Sequence, residues 1–221
     1  TLLAEQNFGN KKGFITSFGI FAAPAGIFIG TLICAVVSML VSHDQLINWG
    51  WRIPFLLGAP LGLLGYQIRK SLFESAQFNK AKNEKSLVKV PLLYLIKNYY
   101  LEFGLALSLY ILGNVSFYIN FIYFSNYAAD SHKLSTGSVL YLNAITTFVY
   151  ASTIPLFGLF SDYISKKLLM ICACVFMILL IYPLFTLILN SNLGSQLAAQ
   201  SLISVMIGMF VGPLAIVSAE L

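Results

Sequence analysis

The longest uncharged stretch of the sequence limits the fold more than any other feature. Between Lys167 and Glu220 the chain runs for 52 residues without Asp, Glu, Lys, Arg or His. About 20 apolar residues of helix cross a hydrocarbon core about 30 Å thick, so this stretch can cross twice, with a turn at the polar segment Asn190–Ser195. Because backbone groups in lipid must be paired within the chain, both crossings are predicted to be helices.

The composition extends this prediction to the whole chain. Of its 221 residues, 58% are hydrophobic and only 10% are charged, and the mean hydropathy is +0.83. We therefore predict an all-α polytopic membrane protein whose helices are surrounded by lipid. The formal net charge of +5 is typical of a membrane protein with basic cytoplasmic loops, so no nucleic-acid partner is predicted.

Six weakly charged or uncharged runs predict six transmembrane helices. The second run is short unless Trp49 and Trp51 form its interfacial collar, where amphipathic rings prefer to lie. Three Gly-x-x-x-Gly pairs within the runs predict close helix contacts. These pairs are Gly26 with Gly30, Gly58 with Gly62, and Gly208 with Gly212. The six predicted spans are about residues 13–42, 53–68, 98–129, 134–161, 168–189 and 196–219.

The cations outside the predicted spans are divided unequally between the two sides of the membrane. One side carries 11 of the 13 Lys and Arg residues, and Arg52 and Lys133 are left on the other. Because Lys and Arg accumulate in cytoplasmic loops, we predict that the first side, with both chain ends, is cytoplasmic. Its cations are Lys11, Lys12, Arg69, Lys70, Lys80, Lys82, Lys85, Lys89, Lys97, Lys166 and Lys167.

Two charged residues at the ends of predicted spans are candidates for function, because charge close to hydrocarbon is costly. Arg52, at the outer end of the second span, would either snorkel to the interface or bind a substrate carboxylate in a central cavity. Glu102, near the cytoplasmic end of the third span, would either pair with Lys97 or Lys89 or relay protons.

Uncharged polar side chains form stripes along three spans. On the third span Ser116, Asn120 and Tyr123 share one helix face, and Asn114 and Tyr118 form a row beside it. Buried amides and hydroxyls need partners, which are either neighbouring helices or the water and ligand of a central cavity, and we favour the cavity. The fourth span adds Tyr141, Asn143, Thr146, Thr147 and Tyr150, and the sixth adds Gln196, Gln200 and Ser204. The candidate substrate-binding residues are Arg52, Asn114, Tyr118, Asn120, Asn143 and Gln200.

The sequence contains no nucleophile, metal or nucleotide signature of an enzyme. His43 and His132 fall in predicted outer loops. Cys34, Cys172 and Cys174 fall in apolar stretches without metal-binding spacing. We therefore predict neither an enzymatic activity nor a metal or cofactor.

The loop between the fourth and fifth spans resembles a known signature. Gly158–Lys167 is similar to the cytoplasmic loop of the major facilitator superfamily, Gly-x-x-x-Asp-basic-x-Gly-basic-basic, except that Tyr163 and Ser165 replace a basic residue and the second glycine. The Asp of such a loop can cap the start of a neighbouring helix and meet the cations, forming a latch that opens as a transporter changes state. The two departures predict a weaker latch. The gating residues implied are Gly158, Asp162, Lys166 and Lys167.

Three further segments resemble one family within that superfamily, the metabolite:proton symporters. Trp49–Gly58 with Ile68–Phe78 looks like the family's sixth helix and the loop after it, and Lys11–Ser17 looks like the entry to the fifth. Ala219–Glu220 is similar to the start of the acidic motif that closes the tenth. The resemblance implies helices five to ten of a twelve-helix carrier. Residues 1–68 would end the first half, 69–97 would form a cytoplasmic linker, and 98–221 would belong to the second half.

The resemblance implies proton-coupled symport of a small zwitterionic or carboxylated metabolite, of the proline or betaine kind, across a bacterial inner membrane. Its expected partners are the metabolite, the proton, membrane lipid and the missing helices of the parent transporter. The rings of Tyr118 and Phe121 could face a quaternary ammonium group, although aromatic stripes in membrane helices more often form core. Two alternatives stay open: a symporter of α-ketoglutarate or citrate, and a non-transporting fragment of a disrupted transporter gene.

Overall fold

A computed structural model of the chain describes residues 11–71, 91–127, 136–189 and 192–220. Helices and turns make up these residues, and none of them lies in a β-strand, which confirms the all-α prediction. A 3₁₀ turn at Gly50–Arg52 joins the second and third helices, and a π-helical turn at Ile119–Tyr123 extends the fifth helix to Tyr127. The nine helices of the described residues are α1 (Lys12–Leu40), α2 (His43–Asn48), α3 (Ile53–Ser71), α4 (Pro91–Asn98), α5 (Tyr100–Tyr118), α6 (Thr136–Tyr163), α7 (Lys166–Leu189), α8 (Leu193–Val211) and α9 (Leu214–Glu220).

Five helical segments of the described residues are long and apolar enough to cross a membrane. They match the first, third, fourth, fifth and sixth predicted spans. The prediction of a polytopic helical membrane protein is therefore confirmed. The five segments are Lys12–Leu40, Tyr100–Tyr127, Gly137–Tyr163, Lys166–Leu189 and Leu193–Glu220.

The second predicted span forms α3, which is not one of these five segments. Its 19 residues include Pro60 and three glycines and end near Arg69 and Lys70, and these residues lower its mean hydropathy. At 1.5 Å per residue α3 is about 28 Å long, slightly shorter than a typical hydrocarbon core. A helix lies where the sequence predicts one. Its crossing of the membrane, and with it the total of six spans, stays a prediction.

Glycines allow three helices to cross at very short distances. α1 lies along α6, and α6 lies along α8. A β-carbon added to Gly158 of α6 would lie 2.5 Å from the β-carbon of Ser17 in α1, and one added to Gly212 would lie 2.9 Å from the carbonyl oxygen of Ile154. Larger residues would push these helices apart. Of the three predicted glycine pairs, Gly208 and Gly212 pack closely against α6. A β-carbon added at any glycine of the other two pairs would meet nothing within 4 Å among the described residues.

The buried core lies among α5 to α9, and α8 is its most buried helix. Ten of the 19 residues of α8 are buried. Large apolar side chains of α6, α7 and α8, such as Ile154, Ile188 and Ile207, are almost fully buried. Close packing of this kind holds helices together in lipid, where removing apolar surface from water contributes little. α8 is therefore the central element against which α5, α6, α7 and α9 pack.

Two predicted spans are interrupted at defined residues. The third is preceded by the short helix α4, and after a break at Tyr99 it begins at Tyr100 as α5. The sixth is broken after Val211, because Pro213 cannot donate a backbone hydrogen bond, and it continues as α9. In the turn predicted before α8, Asn192 accepts a hydrogen bond from the amide of Gly194 at 2.9 Å and caps the helix. The first two residues of that turn lie outside the described residues.

Several predicted loop residues also lie outside the described part of the chain. The predicted linker at 69–97 is described only at its ends, in the last turn of α3 and in α4. Its residues 72–90 and the outer loop at 128–135 are not described. Lys80, Lys82, Lys85, Lys89, His132 and Lys133 are the predicted residues concerned.

Candidate functional site

A cavity of about 380 Å³ lies between α1, α5, α6 and the junction of α8 and α9. Its walls are mainly apolar, and their polar side-chain groups are three tyrosine hydroxyls and one amide. Among the described residues, none that lines the cavity carries a charge. Such a volume, with few polar groups in an apolar wall, is typical of a small-molecule site. The lining residues are Gly19, Ile20, Ala23, Pro24, Ile27, Tyr110, Gly113, Asn114, Phe117, Tyr118, Tyr150, Val211 and Leu214.

Helix α5 supplies most of the polar lining through its residue spacing. Tyr110, Asn114 and Tyr118 follow one another at intervals of four, so they lie on one helix face. The side-chain nitrogen of Asn114 donates to the carbonyl oxygen of Tyr110 at 2.8 Å, which orients the amide along the helix. The Tyr110 hydroxyl lies 3.2 Å from Ser218 Oγ and ties this wall to α9. Tyr110 is not among the residues predicted from the sequence. Its position four residues before Asn114 indicates that the two share a helix face, and this spacing could have identified it.

Aromatic rings form the inner wall of the cavity. The ring centroids of Phe117 and Tyr150 are 5.7 Å apart, and they lie 4.7 and 5.3 Å from the centroid of Phe121. Phe121 is buried behind them in the core and does not line the cavity. Of the two rings predicted to face a quaternary ammonium group, only Tyr118 is placed to do so. Phe121 thus follows the alternative of a core aromatic residue.

Two of the six predicted substrate-binding residues, Asn114 and Tyr118, line this cavity. Asn120 and Gln200 are instead buried where α5 meets α8. Asn120 Nδ2 donates to Ser204 Oγ at 3.0 Å, so its side chain bonds to the neighbouring helix. A part for Asn120 and Gln200 in substrate binding stays a prediction.

The other two predicted residues also lie outside the cavity lining. Asn143 of α6 accepts a hydrogen bond from Ser125 Oγ at 2.7 Å, which joins α6 to the end of the α5 segment. Arg52 is exposed in the 3₁₀ turn, and its guanidinium carbon lies 4.9 Å from the centroid of the Trp51 ring. This cation–π contact is of the kind expected at a membrane interface. Substrate binding by Asn143 and Arg52 stays a prediction.

The π-helical turn changes the face that the polar stripe of α5 presents. A regular helix would place Asn120 and Tyr123 on one face, but Asn120 is 1% exposed and Tyr123 is 56% exposed. A π-helical turn contains about one residue more than an α-helical turn, so the residues that follow it are rotated. The shared face predicted for Ser116, Asn120 and Tyr123 is therefore wrong.

Glu102 lies in the first turn of α5, where the helix dipole favours a carboxylate. It is partly exposed and lines a small cleft with Tyr99 and Ser218. Within the described ranges it forms no ion pair with Lys97, and Lys89 lies outside those ranges. A proton relay through Glu102 stays a prediction.

The gating loop predicted from the sequence contacts the start of α1. Asp162 accepts two backbone hydrogen bonds there, from the amide of Gly13 to Oδ1 at 2.6 Å and from the amide of Phe14 to Oδ2 at 3.0 Å. The free amides and the dipole of a helix N-terminus both stabilise a carboxylate. These two hydrogen bonds are the helix-capping contact that the loop spacing predicts, and they are called the latch below.

The loop cations are placed differently from the prediction. Lys166 forms an ion pair with Glu220 at the end of α9, and this is the only ion pair within the described part of the chain. Lys167 and Tyr163 are exposed. Asp162 forms no ion pair with Lys166 or Lys167 in the described residues, although all three line one cleft, and their joint action as a gate stays a prediction.

These contacts bring four chain segments to one end of the bundle. The latch joins the start of α1 to the end of α6, and the ion pair joins the start of α7 to the end of α9. Lys11, Lys12, Lys166 and Lys167 belong to these segments, and the charge count assigns all four to one side. The side of the membrane that this end faces stays a prediction.

Apolar helices packed around a cavity, with an aspartate latch at one end, define a helical membrane protein with a candidate small-molecule site. The chain belongs to the Major Facilitator Superfamily, whose family model matches residues 5–221. It is a multi-pass membrane protein, and curated relatives that it matches are named as transporters. No solved structure matches the chain.

Curated transporters from bacteria are similar to nearly the whole chain, which confirms the resemblance to proline/betaine carriers. The glycine betaine/proline/ectoine/pipecolic acid transporter OusA of Dickeya dadantii (strain 3937) is 28% identical, over 96% of this chain and 44% of its own length. The proline/betaine transporter of Escherichia coli (strain K12) is 26% identical, with the same coverage of 96% and 44%. The inner membrane metabolite transport protein YhjE of Escherichia coli (strain K12) is 27% identical, over 100% of this chain and 51% of its own length. The chain thus spans about half the length of the curated relatives it matches.

Proposed function

We propose that this chain is part of a proton-coupled symporter for a small zwitterionic metabolite of the proline or betaine kind. The family, relatives named as proline and betaine transporters, and the chemistry of the cavity support this proposal. Because the chain spans about half the length of those relatives, transport is assigned to the complete carrier, in which further helices pack against this bundle.

The observation that carries the proposal is an uncharged cavity lined by rings and one amide. The faces of Phe117, Tyr118 and Tyr150 can stabilise a substrate ammonium group by about 0.5–2 kcal/mol. The Asn114 amide and the tyrosine hydroxyls can donate hydrogen bonds to its carboxylate. A dicarboxylate would need cationic partners, and no described lining residue supplies one. The lining therefore favours a zwitterion over α-ketoglutarate or citrate.

The latch would control access to the cavity from its end of the bundle. By the family resemblance α1 belongs to the first half of the carrier and α6 to the second, so the bonds to Asp162 would join the two halves. Rocking of the halves about the cavity would break these bonds and expose the substrate alternately. In this proposal the carrier lies in a bacterial inner membrane, and the latch opens to the cytoplasm.

Glu102 is the proposed proton carrier of the symporter. Ser218 lines the same cleft as Glu102, and its hydroxyl lies 3.2 Å from the hydroxyl of Tyr110 in the cavity wall. Hydroxyl groups that both donate and accept hydrogen bonds can pass a proton along such a row. Ser218 and Tyr110 thus offer a route between the carboxylate and the substrate.

Solute counterflow with the complete carrier in proteoliposomes tests the substrate class. We expect exchange of labelled proline and glycine betaine and no exchange of labelled α-ketoglutarate or citrate. An imposed proton gradient should then drive accumulation of the exchanged solute. Exchange of the dicarboxylates alone would contradict the proposal. If a helical, lipid-inserted carrier exchanges none of the four, the proposed substrate class is wrong.

A further inference from the structure

The contact between α5 and α8 contains buried polar atoms that no protein group satisfies. Asn120, Gln200 and Ser204 are 1%, 0% and 0% exposed. Asn120 Nδ2 donates to Ser204 Oγ at 3.0 Å, and Ser204 Oγ donates to the carbonyl oxygen of Gln200 at 2.8 Å. Asn120 Oδ1 and both the oxygen and the nitrogen of the Gln200 side-chain amide have no hydrogen-bond partner in the protein.

Unpartnered atoms of this kind point to a bound ligand. Burying an amide without partners is strongly unfavourable, and buried polar groups in native proteins almost always have one. The two residues face each other where the helices meet, because Asn120 Nδ2 lies 3.4 Å from the backbone carbonyl oxygen of Gln200, and both contribute unpartnered side-chain atoms. A ligand between the helices would satisfy both side chains at once.

We propose that Asn120, Gln200 and Ser204 form a binding site for internal water between α5 and α8. The three unpartnered atoms are two carbonyl oxygens, which accept, and one amide nitrogen, which donates. A water molecule has two O–H donors and an oxygen that accepts, so a single molecule complements the whole set. A sodium ion would bind the two oxygens and be repelled by the N–H group, and a carboxylate would bind only the nitrogen.

The position of the site in α5 gives bound water a structural role. Asn120 lies in the π-helical turn Ile119–Tyr123, directly after the cavity residues Phe117 and Tyr118. A π-helical turn interrupts the regular backbone hydrogen bonds of a helix, and such turns occur frequently at functional sites. When two helices shift relative to each other, a bridging water can form hydrogen bonds to new partners. A direct hydrogen bond between the helices must break. The hydrated site would therefore act as a polar joint between the cavity wall and α8.

Water-edited solid-state NMR of the complete carrier in lipid bilayers tests the site directly. The side-chain nitrogen signal of Gln200 is assigned by its loss in the conservative variant Gln200→Glu. The matched control is the backbone amide of Ile207, a residue of the same helix that is 1% exposed. We expect magnetisation from water to reach the Gln200 side chain several times faster than it reaches Ile207. Equal transfer to both would overturn the proposal in favour of a dry hydrogen bond between the two amides.

The direction of a stability change provides a second test. Gln200→Leu removes the amide, so a hydrated site loses the bonds of its water and leaves Asn120 Oδ1 unpaired. We expect the melting temperature to fall by several degrees, and to stay unchanged in the control Gln67→Leu at an exposed position of α3. A rise in Gln200→Leu would mean that the site is dry and would overturn the proposal.

A comparison of salts separates water from a bound cation. If sodium chloride, but not potassium chloride, stabilises the carrier and Gln200→Leu abolishes this effect, the ligand is sodium and the proposal is wrong. Equal stability in the two salts supports water. The NMR measurement uses the unmodified residue, so it decides between the outcomes even where Gln200→Leu does not fold.

Discussion

Asp162 joins the end of α6 to the start of α1 with one carboxylate. Its two oxygens accept hydrogen bonds from Gly13 and Phe14, whose amides have no partner within their own helix. The spacing of the loop residues predicts this cap, because the loop resembles a known signature. The partner of Lys166 could not be predicted in the same way, since Glu220 lies 54 residues later and its position depends on how α9 packs.

The substitution Asp162→Asn should weaken the latch with almost no change in side-chain size. The amide loses the negative charge and places an N–H group among the donors of α1, so we expect the latch to lose about 1–2 kcal/mol. In a variant without native cysteines, a cytoplasmic thiol reagent should then label Ala23→Cys in the cavity several times faster. The control is Asp44→Asn, which changes an exposed first-turn carboxylate of α2. An unchanged labelling rate in Asp162→Asn would rule out the latch.

Tyr118 is the cavity residue that best separates substrate binding from packing. Tyr118→Leu removes a ring face and a hydroxyl, so we expect the KM for glycine betaine to rise about tenfold, the equivalent of about 1.4 kcal/mol, with little change in kcat. Initial uptake rates by the complete carrier measure both constants. Tyr123→Leu is the matched control, because Tyr123 is 56% exposed against 58% for Tyr118 and lies outside the cavity. Equal effects of the two substitutions would contradict the proposed site.

At the scale of single elements, α5 shows what a hydrophobic pattern predicts and what it omits. The run of apolar residues predicts a span at 98–129, and the helical segment is Tyr100–Tyr127. The π-helical turn within it could not be predicted, because Ile119–Tyr123 contains neither glycine nor proline. The turn contains a residue that contacts another helix, because Asn120 bonds to Ser204. A single sequence does not reveal such contacts between distant residues.

The crossing of α1 and α6 depends on the absence of a side chain at one residue. In Gly158→Ala the added carbon would lie 2.5 Å from Ser17 Cβ, so α1 must move away from α6. We expect this overpacking to destabilise the carrier by about 1–3 kcal/mol and to lower its melting temperature. Gly26→Ala, in a helix with open space around that position, should be neutral or slightly stabilising. If both substitutions have the same effect, the close crossing is not essential.

At the scale of the whole molecule, the composition and the long uncharged runs predict a helical membrane protein. Hydrocarbon allows few backbone structures, so long uncharged runs determine helical spans almost by themselves. The order in which helices pack could not be predicted, because it depends on local fits such as Gly158 against Ser17. The cavity follows from that packing, which is why only two of the six predicted substrate-binding residues, Asn114 and Tyr118, line it, together with Tyr150 of the predicted polar stripe.

The topology of the bundle can be tested with cysteines at three positions near helix ends. In a variant without native cysteines, Lys70→Cys and Lys167→Cys should react with an impermeant thiol reagent only from the cytoplasm, and Arg52→Cys only from outside. These outcomes follow from the predicted division of cations between the two sides. Labelling of residues 52 and 70 from one side would mean that α3 does not cross the membrane. Labelling of residue 167 from outside would reverse the orientation.

The latch has a consequence for genetics, because one of its partners is main chain. A lost ion pair between Lys166 and Glu220 can be restored by exchanging the two residues, since side chains supply both charges. A side-chain substitution at position 13 or 14 leaves this partner unchanged, because every amino acid except proline offers the same N–H group there. Starting from Asp162→Ala, suppressor selection should return reversions at codon 162 and distant changes, and no compensating alleles at the start of α1.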